Sequence, residues 1–309
     1  MQFVVVVMPA FQASRRACLG ASLLPWLAPL AGCGSPLPLL PRPAAADPAA
    51  QDLLQRSAQA HGLEAYRQLQ DINIAYAGQW RPLINGIQPE VVDAGYRGPS
   101  QERLLPRLGI NAQAYRGPQG AKFVSWQRGS GRGGELGRVA VWYDGRPCSD
   151  VALLRAAALV AEGYGFFLLG PLWLAERGDV ALRLAGSERV DGRLCDVVEG
   201  WIAPGLGQVA ADRVAVFIDR SDFVARRVRF TLEGSANTQG AVAEVDRFEF
   251  ERRFGVLWPM RSYEEVRHPL RLPAHDWRIT GLDVNRGYGP EALAGPVFSG
   301  AAAAAAAPV

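Results

Sequence analysis

Hydrophobic positions recur at helical spacing between Asp52 and Gln70. Leu53, Leu54, Ala58, Leu63, Tyr66 and Leu69 share a face there, and Asp52 stands at the cap. Gly62 weakens the run in its middle, which predicts a bent helix or two short ones. From Ile72 the period falls to two. "DINIAYAGQW" alternates Ile72, Ile74 and Tyr76 with smaller or polar neighbours; "AKFVSWQRG" and "RVAVWYDGRP" continue the pattern, the latter into a turn at Asp144-Gly145. A second helical region runs from Asp150 to Gly178, where Ser149 or Asp150 can cap it and Gly163 can end its first helix. Within it, Phe166–Leu174 is apolar on nearly every side, so it must be buried or line something apolar. Strands then resume. "ALRLAGSERVDGRLCDVVEGWI" turns at Asp191-Gly192, "DRVAVFIDRSDFVARRVRFTLEG" is a hairpin, two strands flank Gly255, and "HDWRITGLDVNRG" is the last. Pro259 inside its strand predicts an edge or a bulge.

In the second arm of the hairpin Val228, Phe230 and Leu232 alternate with Arg227, Arg229, Thr231 and Glu233, giving one apolar face and one wet face. About ten or eleven antiparallel strands with two or three helical segments make an α+β protein that is mostly antiparallel β. So wide a sheet with one apolar face must curl, pair with another sheet or be covered. Two short helices cannot cover it fully. The pattern therefore predicts a concave apolar face partly lidded by helices, the geometry of a lipid pocket. Phe166, Phe167, Leu169, Leu172 and Trp173 are the expected lid, and Val228, Phe230, Leu232, Phe248 and Phe250 the expected cavity wall.

The N-terminal segment follows different rules. Only 16 residues separate Arg16 from Cys33, short of the roughly 20 a membrane span needs, and Pro25 and Pro29 interrupt them. A positive n-region, an apolar stretch and small residues follow in the order of an export signal, with Met8 a plausible true start. Leu30-Ala31-Gly32-Cys33 resembles the lipobox of bacterial lipoproteins. That resemblance implies removal of residues 1–32, a lipid on Cys33 and a permanent membrane anchor. "SRRAC" departs from a twin-arginine signal at Cys18, so the export route stays open. Gly34 stands where aspartate would signal retention at the inner membrane, which favours the outer membrane facing the periplasm. Residues 33–50, rich in proline and alanine, read as a tether; residues 51–298 as the folded domain; and 299–309, "GAAAAAAAPV" in large part, as a disordered tail.

Composition mainly excludes. Apolar residues make up 49% and charged residues 20%, an ordinary balance for a chain with a sizeable core. The net charge of +3 includes Arg15 and Arg16 of the leader, so the body is nearly neutral and no nucleic-acid surface is indicated. The glycine-rich stretch Arg128–Gly137 lacks the Gly-Lys-Ser/Thr ending of a phosphate loop. Three histidines, His61, His268 and His275, supply no convergent catalytic or metal-binding cluster; "HPLRLPAH" reads as a proline-bearing loop, and no cofactor or metal is expected. His61 is expected to bond within the first helix, and Glu264 and Glu265 to form a solvated strand end. The many tryptophans read first as core. Cys148 and Cys195, in an exported chain, are either a disulfide pair or two separate buried thiols.

"AHGLEAYRQL", "INIAYAGQW", the apolar helical insert and above all "VFIDRSDFVARRVRF", in this order, resemble the superfamily of the Lol outer-membrane lipoprotein carrier and receptor, over roughly Gln51 to Gly287. The resemblance implies an incomplete β-barrel of about eleven strands plugged by helices, binding acyl chains or a lipidated polypeptide without chemistry. Two functions follow. The first is an anchored lipoprotein that takes a lipid, an acyl chain or a lipidated protein into an apolar cavity. The second is an envelope interaction or stress-sensing module with a filled core. Internal volume separates them, because a concave face packed without a continuous cavity favours the second.

Overall fold

The computed structural model of the chain describes residues 42–177, 180–233, 240–267, 270–298 and 300–304. Cys33, the leader and the first half of the tether lie outside them.

The first helical run is bent, as its glycine requires. Helix α1 (Pro48–His61) stops at Gly62, whose φ of 92° is left-handed, and α2 (Leu63–Tyr66) follows. The cap is Asp47, not Asp52: its carboxylate accepts from the Ala49 amide at 2.9 Å, with Pro48 in the first turn. The helix thus takes the last three residues of the stretch read as tether.

Strand β1 (Ile72–Trp80) leads through the short helices α3 (Pro82–Ile87) and α4 (Pro89–Val92) to a meander. Its strands are β2 (Ser100–Leu105), β3 (Ile110–Gly117), β4 (Gly120–Arg128), β5 (Gly137–Tyr143) and the two-residue β6 (Arg146–Pro147). Helices α5 (Val151–Leu169) and α6 (Pro171–Ala175) come next. A second meander follows: β7 (Ala181–Val190), β8 (Arg193–Ile202), β9 (Asp212–Asp219), β10 (Ala225–Thr231), β11 (Val242–Arg253), β12 (Val256–Arg267) and β13 (Arg271–Val284). Among the described residues all thirteen strands form one antiparallel sheet in the order β6-β5-β4-β3-β2-β1-β13-β12-β11-β10-β9-β8-β7. This is the α+β architecture that the pattern implies and the half-open barrel that the resemblance implies, with more strands. β2, β3 and β6 are the additions, since their sequences are too polar or too short to announce themselves.

The topology explains α5. The chain leaves the sheet at one edge, β6, and re-enters at the other, β7, so the connection must cross the whole face. Helix α5 makes that crossing. One of its sides (Leu159, Tyr164, Phe166–Leu169) buries in the main core, and another (Ala157, Ala158, Ala161) buries against Tyr115, Trp126 and Val141. A helix packed on both sides has to be apolar all round. It runs uninterrupted through Gly163 and ends at Gly170 (φ 51°) before Pro171. A methyl group on Gly165 would lie 2.9 Å from the Asn111 side chain, so this glycine serves close packing against β3 rather than termination.

The Asp144-Gly145 and Asp191-Gly192 turns form as expected, with φ values of 50° and 78°, and 48° and 75°. Pro259 pairs with Phe250 on β11, whereas the β12–β13 ladder begins only at Arg261, so toward β13 the strand is unpaired at the proline. The outer face is less wet than its pattern suggests. Arg227, Arg229 and Glu244 are buried beneath their own ion pairs, Arg227 with Glu188 (3.0 Å) and Asp246, and Arg229 with Glu244. Within the described part of the alanine-rich segment, Ala304 bridges to Gly281, and the Ala303 carbonyl accepts from the Leu282 amide at 2.8 Å.

Candidate functional site

All five expected lid residues are buried. Phe167 faces the sheet, with its ring centroid 5.4 Å from Phe230 and 5.9 Å from Trp277, while Phe166 turns toward Trp173 at 5.2 Å. Leu169 and Leu172 complete the same core. Trp173 also has a polar setting, between the guanidiniums of Arg128 (5.1 Å) and Arg177 (4.6 Å) at the floor of a basic cleft.

Three of the five expected wall residues, Val228, Phe230 and Leu232, lie on the covered face. Phe250 is half-buried at the α1 end, its ring 5.9 Å from His61. Phe248 belongs to the outer face, 5.9 Å from the Arg261 guanidinium, and is no part of the wall. The reason is local. Glu249 has a left-handed backbone (φ 52°), which breaks the strand's alternation between the two phenylalanines.

The seam between α5 and the sheet is nearly closed. The space bounded by Leu159, Gly163, Tyr164, Phe167, Phe230 and Leu232 measures about 20 Å³, room for about one water molecule. Polar pins hold the helix there. Glu162 pairs with Arg128 at 2.6 Å, the Asn111 amide donates to the Ala161 carbonyl at 2.8 Å, and Arg247 donates to the Leu168 carbonyl at 2.9 Å.

A larger cavity, about 170 Å³, opens where β1 meets β13. His275 lies between Trp80 and Trp277 at centroid distances of 4.4 and 4.6 Å, nearly parallel to both, and its Nδ1 is 2.7 Å from the Tyr164 hydroxyl. Gly78 makes this stack possible, because a methyl group there would lie 2.5 Å from Trp277 Cβ and 2.8 Å from His275 Nε2. Arg97 extends its guanidinium over Tyr115 (4.5 Å), Trp80 (5.3 Å) and Tyr164 (6.0 Å). Burial, then Arg97, holds the His275 pKa well below the usual histidine value. Burial pushes Glu264 and Glu102 up to about 7, against the opposing pull of Arg97. Glu264 is therefore a buried acid and not a solvated strand end. Strand β13 begins at Arg271, four residues before the expected strand and inside the stretch read as a loop, so His275 sits within it; His268 lies outside the described residues.

His61 also departs from expectation. It is fully buried, and it bonds away from its own helix: Nδ1 is 3.2 Å from the Leu257 carbonyl, and Nε2 accepts from the Ala225 amide at 3.1 Å. Cys148 and Cys195 are free thiols. Cys148 follows β6 and Cys195 is in β8, with ten strands between them in the sheet, so no bridge forms.

Several solved structures are similar to this chain. A protein of the DUF1329 family from Desulfovibrio piger is 13% identical with a TM-score of 0.46, covering 78% of this chain and 94% of its own. A LolA superfamily protein from Nitrosomonas europaea is 12% identical at 0.39, covering 79% and 96%. A putative outer-membrane lipoprotein-sorting domain from Vibrio parahaemolyticus is 9% identical at 0.37, covering 79% and 95%. No family model matches the sequence, and no curated protein matches it.

Sequence reasoning missed the Arg97–His275–Trp277 cavity. Gly78-x-Trp80 and His275-x-Trp277 each place two residues on one strand face, a visible signal. That the two strands pair, with Trp80 opposite His275, is a long-range fact that no local pattern carries.

Proposed function

We propose that this is a non-catalytic lipoprotein of the bacterial cell envelope that takes an acyl chain, free or attached to a protein, along the seam under α5. One observation carries the reading: a 19-residue helix, apolar enough to cross a membrane, lies instead in an apolar trough spanning the sheet. Its place is the place of a ligand. An acyl chain would replace its contacts at about 25 cal/mol per Å² of apolar area, and the closed seam is then the empty state. Lipidation of Cys33, which belongs to this reading, would hold the domain at the outer membrane facing the periplasm.

The near absence of space under α5 favours a second reading, an envelope interaction or sensor module with a permanently filled core. Hydrogen exchange on the full chain with and without lipid vesicles separates the two. Acyl adducts in native mass spectra, with faster exchange over residues 151–169, support the first. Empty protein and unchanged protection would leave the second. Radiolabelled palmitate incorporated in cells, and lost in Cys33→Ser, tests the anchor.

A further inference from the structure

Arg97 is a guanidinium in an apolar setting without an acid. Among the described residues no carboxylate lies within ion-pair distance of it. Asp93, four residues earlier, is held by Lys122 (2.5 Å) and the Tyr143 hydroxyl (2.8 Å). Two of the five N–H donors of Arg97 are used locally, Nε to the Val92 carbonyl (3.1 Å) and Nη2 to the Val91 carbonyl (2.9 Å). Three buried arginines of the outer sheet face are matched, Arg213 with Glu199 at 2.8 Å and Arg227 and Arg229 with acids of their own, whereas Arg247 is satisfied by two backbone carbonyls. The Tyr115 hydroxyl borders the same cavity, buried and without a well-formed hydrogen bond. A buried donor left unmade costs about 1–3 kcal/mol; the Tyr115 hydroxyl is one, and the half-buried Arg97 guanidinium lies beside it in the same cavity.

Size and shape limit an acceptor there. A space of about 170 Å³ matches the roughly 150 Å³ that accommodates benzene in an apolar cavity, far short of a whole lipid. One cation and aromatic walls suit a monoanion on an apolar body better than a strongly hydrated phosphate. The cavity is also directional. Trp80 and Tyr164 bound it on one side and bound the α5 seam on the other, where Phe167, Phe230 and Leu232 continue the wall.

We propose that Arg97, with the Tyr115 hydroxyl, binds the carboxylate of a fatty acid whose chain runs from this cavity into the seam under α5. The proposal rests on the acyl-binding reading and adds a head-group requirement to it. Glu102 and Glu264, two buried acids that feel the Arg97 charge, have pKa values pushed up by burial to about 7, so at pH 6 they are largely protonated and do not oppose an incoming anion.

The test compares laurate, 1-dodecanol and hexanoate on the full-length protein at pH 6. The expected result is that laurate binds about tenfold or more tightly than dodecanol, the margin a charge-assisted hydrogen bond supplies, and more tightly than hexanoate. Arg97→Gln should bring laurate and dodecanol within about twofold, and Arg97→Lys should keep part of the preference. The wild-type comparison stands even if a variant fails to fold. Equal binding of laurate and dodecanol, or a preference intact in folded Arg97→Gln, overturns the assignment while leaving acyl binding in place. Hexanoate bound as tightly as laurate overturns the fatty acid in favour of a small free acid. If neither laurate nor dodecanol binds, the acyl-binding reading falls, and this inference with it.

Discussion

Arg247 of β11 donates from Nη2 to the carbonyl of Leu168, 2.9 Å away at the C-terminal end of α5, and from Nη1 to the carbonyl of Ala225 at 3.2 Å. A helix end leaves its last carbonyls without intrahelical partners, and a cation there also meets the negative end of the dipole. The guanidinium itself is buried without a carboxylate, and burial, then Arg226, lowers its pKa.

Arg247→Met keeps much of the stem's volume and removes both bonds. The lost charge-assisted bonds and the relieved burial of charge oppose each other, so global stability should change little. The last turn of α5 should change most. Amide exchange over residues 166–170 is expected to speed up about tenfold while the strands stay protected, which corresponds to a local loss of about 1.4 kcal/mol. Uniform acceleration throughout the domain would show that Arg247 supports the whole core and not this helix end.

Gly163 and Gly165 occupy the same helix, yet replacing them should have opposite effects. A methyl group on Gly163 meets Phe230 at 3.7 Å, an ordinary contact, so Gly163→Ala should raise stability by about 0.5–1 kcal/mol through helix propensity. A methyl group on Gly165 displaces Asn111, whose amide holds the Ala161 carbonyl, so Gly165→Ala should cost about 1–3 kcal/mol. Urea midpoints decide. Two changes of the same sign contradict the packing just described.

Cys195 is fully buried beside Phe217 and Val242, and burial pushes its thiol up to about 11, whereas Cys148 is half-buried near the β6 edge. The thiolate is the reactive form. A maleimide should therefore label the Cys148 peptide of the native chain within minutes and the Cys195 peptide only in denaturant, with no change in either peptide on reduction. A Cys148–Cys195 cross-linked peptide in the unreduced digest would contradict the separation of the two strands.

The sheet was largely legible because its strands alternate cleanly and its turns carry Asp-Gly pairs. Residues 225–232 show this best: Val228, Phe230 and Leu232 face the core as their spacing requires. Legibility failed where a single backbone conformation reset the phase, as at Glu249 between Phe248 and Phe250. It failed also where charge was buried by partners distant in sequence, as for Glu264. The lid was recognisable from composition. The cavity beside it was not, because His275 and Trp80 become neighbours only when β1 pairs with β13, nearly 200 residues away.

Glu264 gives the domain a titration of known sign. Its carboxyl is buried, Oε2 has no partner, and burial holds its pKa at about 7 in the folded protein, against roughly 4.3 in an unfolded chain. Between these values the folded state keeps a proton that the unfolded state has released. Stability from this group is therefore fully present below about pH 4.3 and is lost as the pH rises through 7, by roughly 4 kcal/mol at most. Glutamine mimics the protonated acid and cannot ionise. Glu264→Gln should match the wild type at pH 4 and become progressively more stable than it up to pH 8, as read from urea midpoints. His61, His275 and Glu102 titrate in both proteins, so the difference between the two curves isolates position 264. A gap that is constant from pH 4 to 8 would mean that Glu264 is already ionised in the fold, stabilised by Arg97 across the cavity.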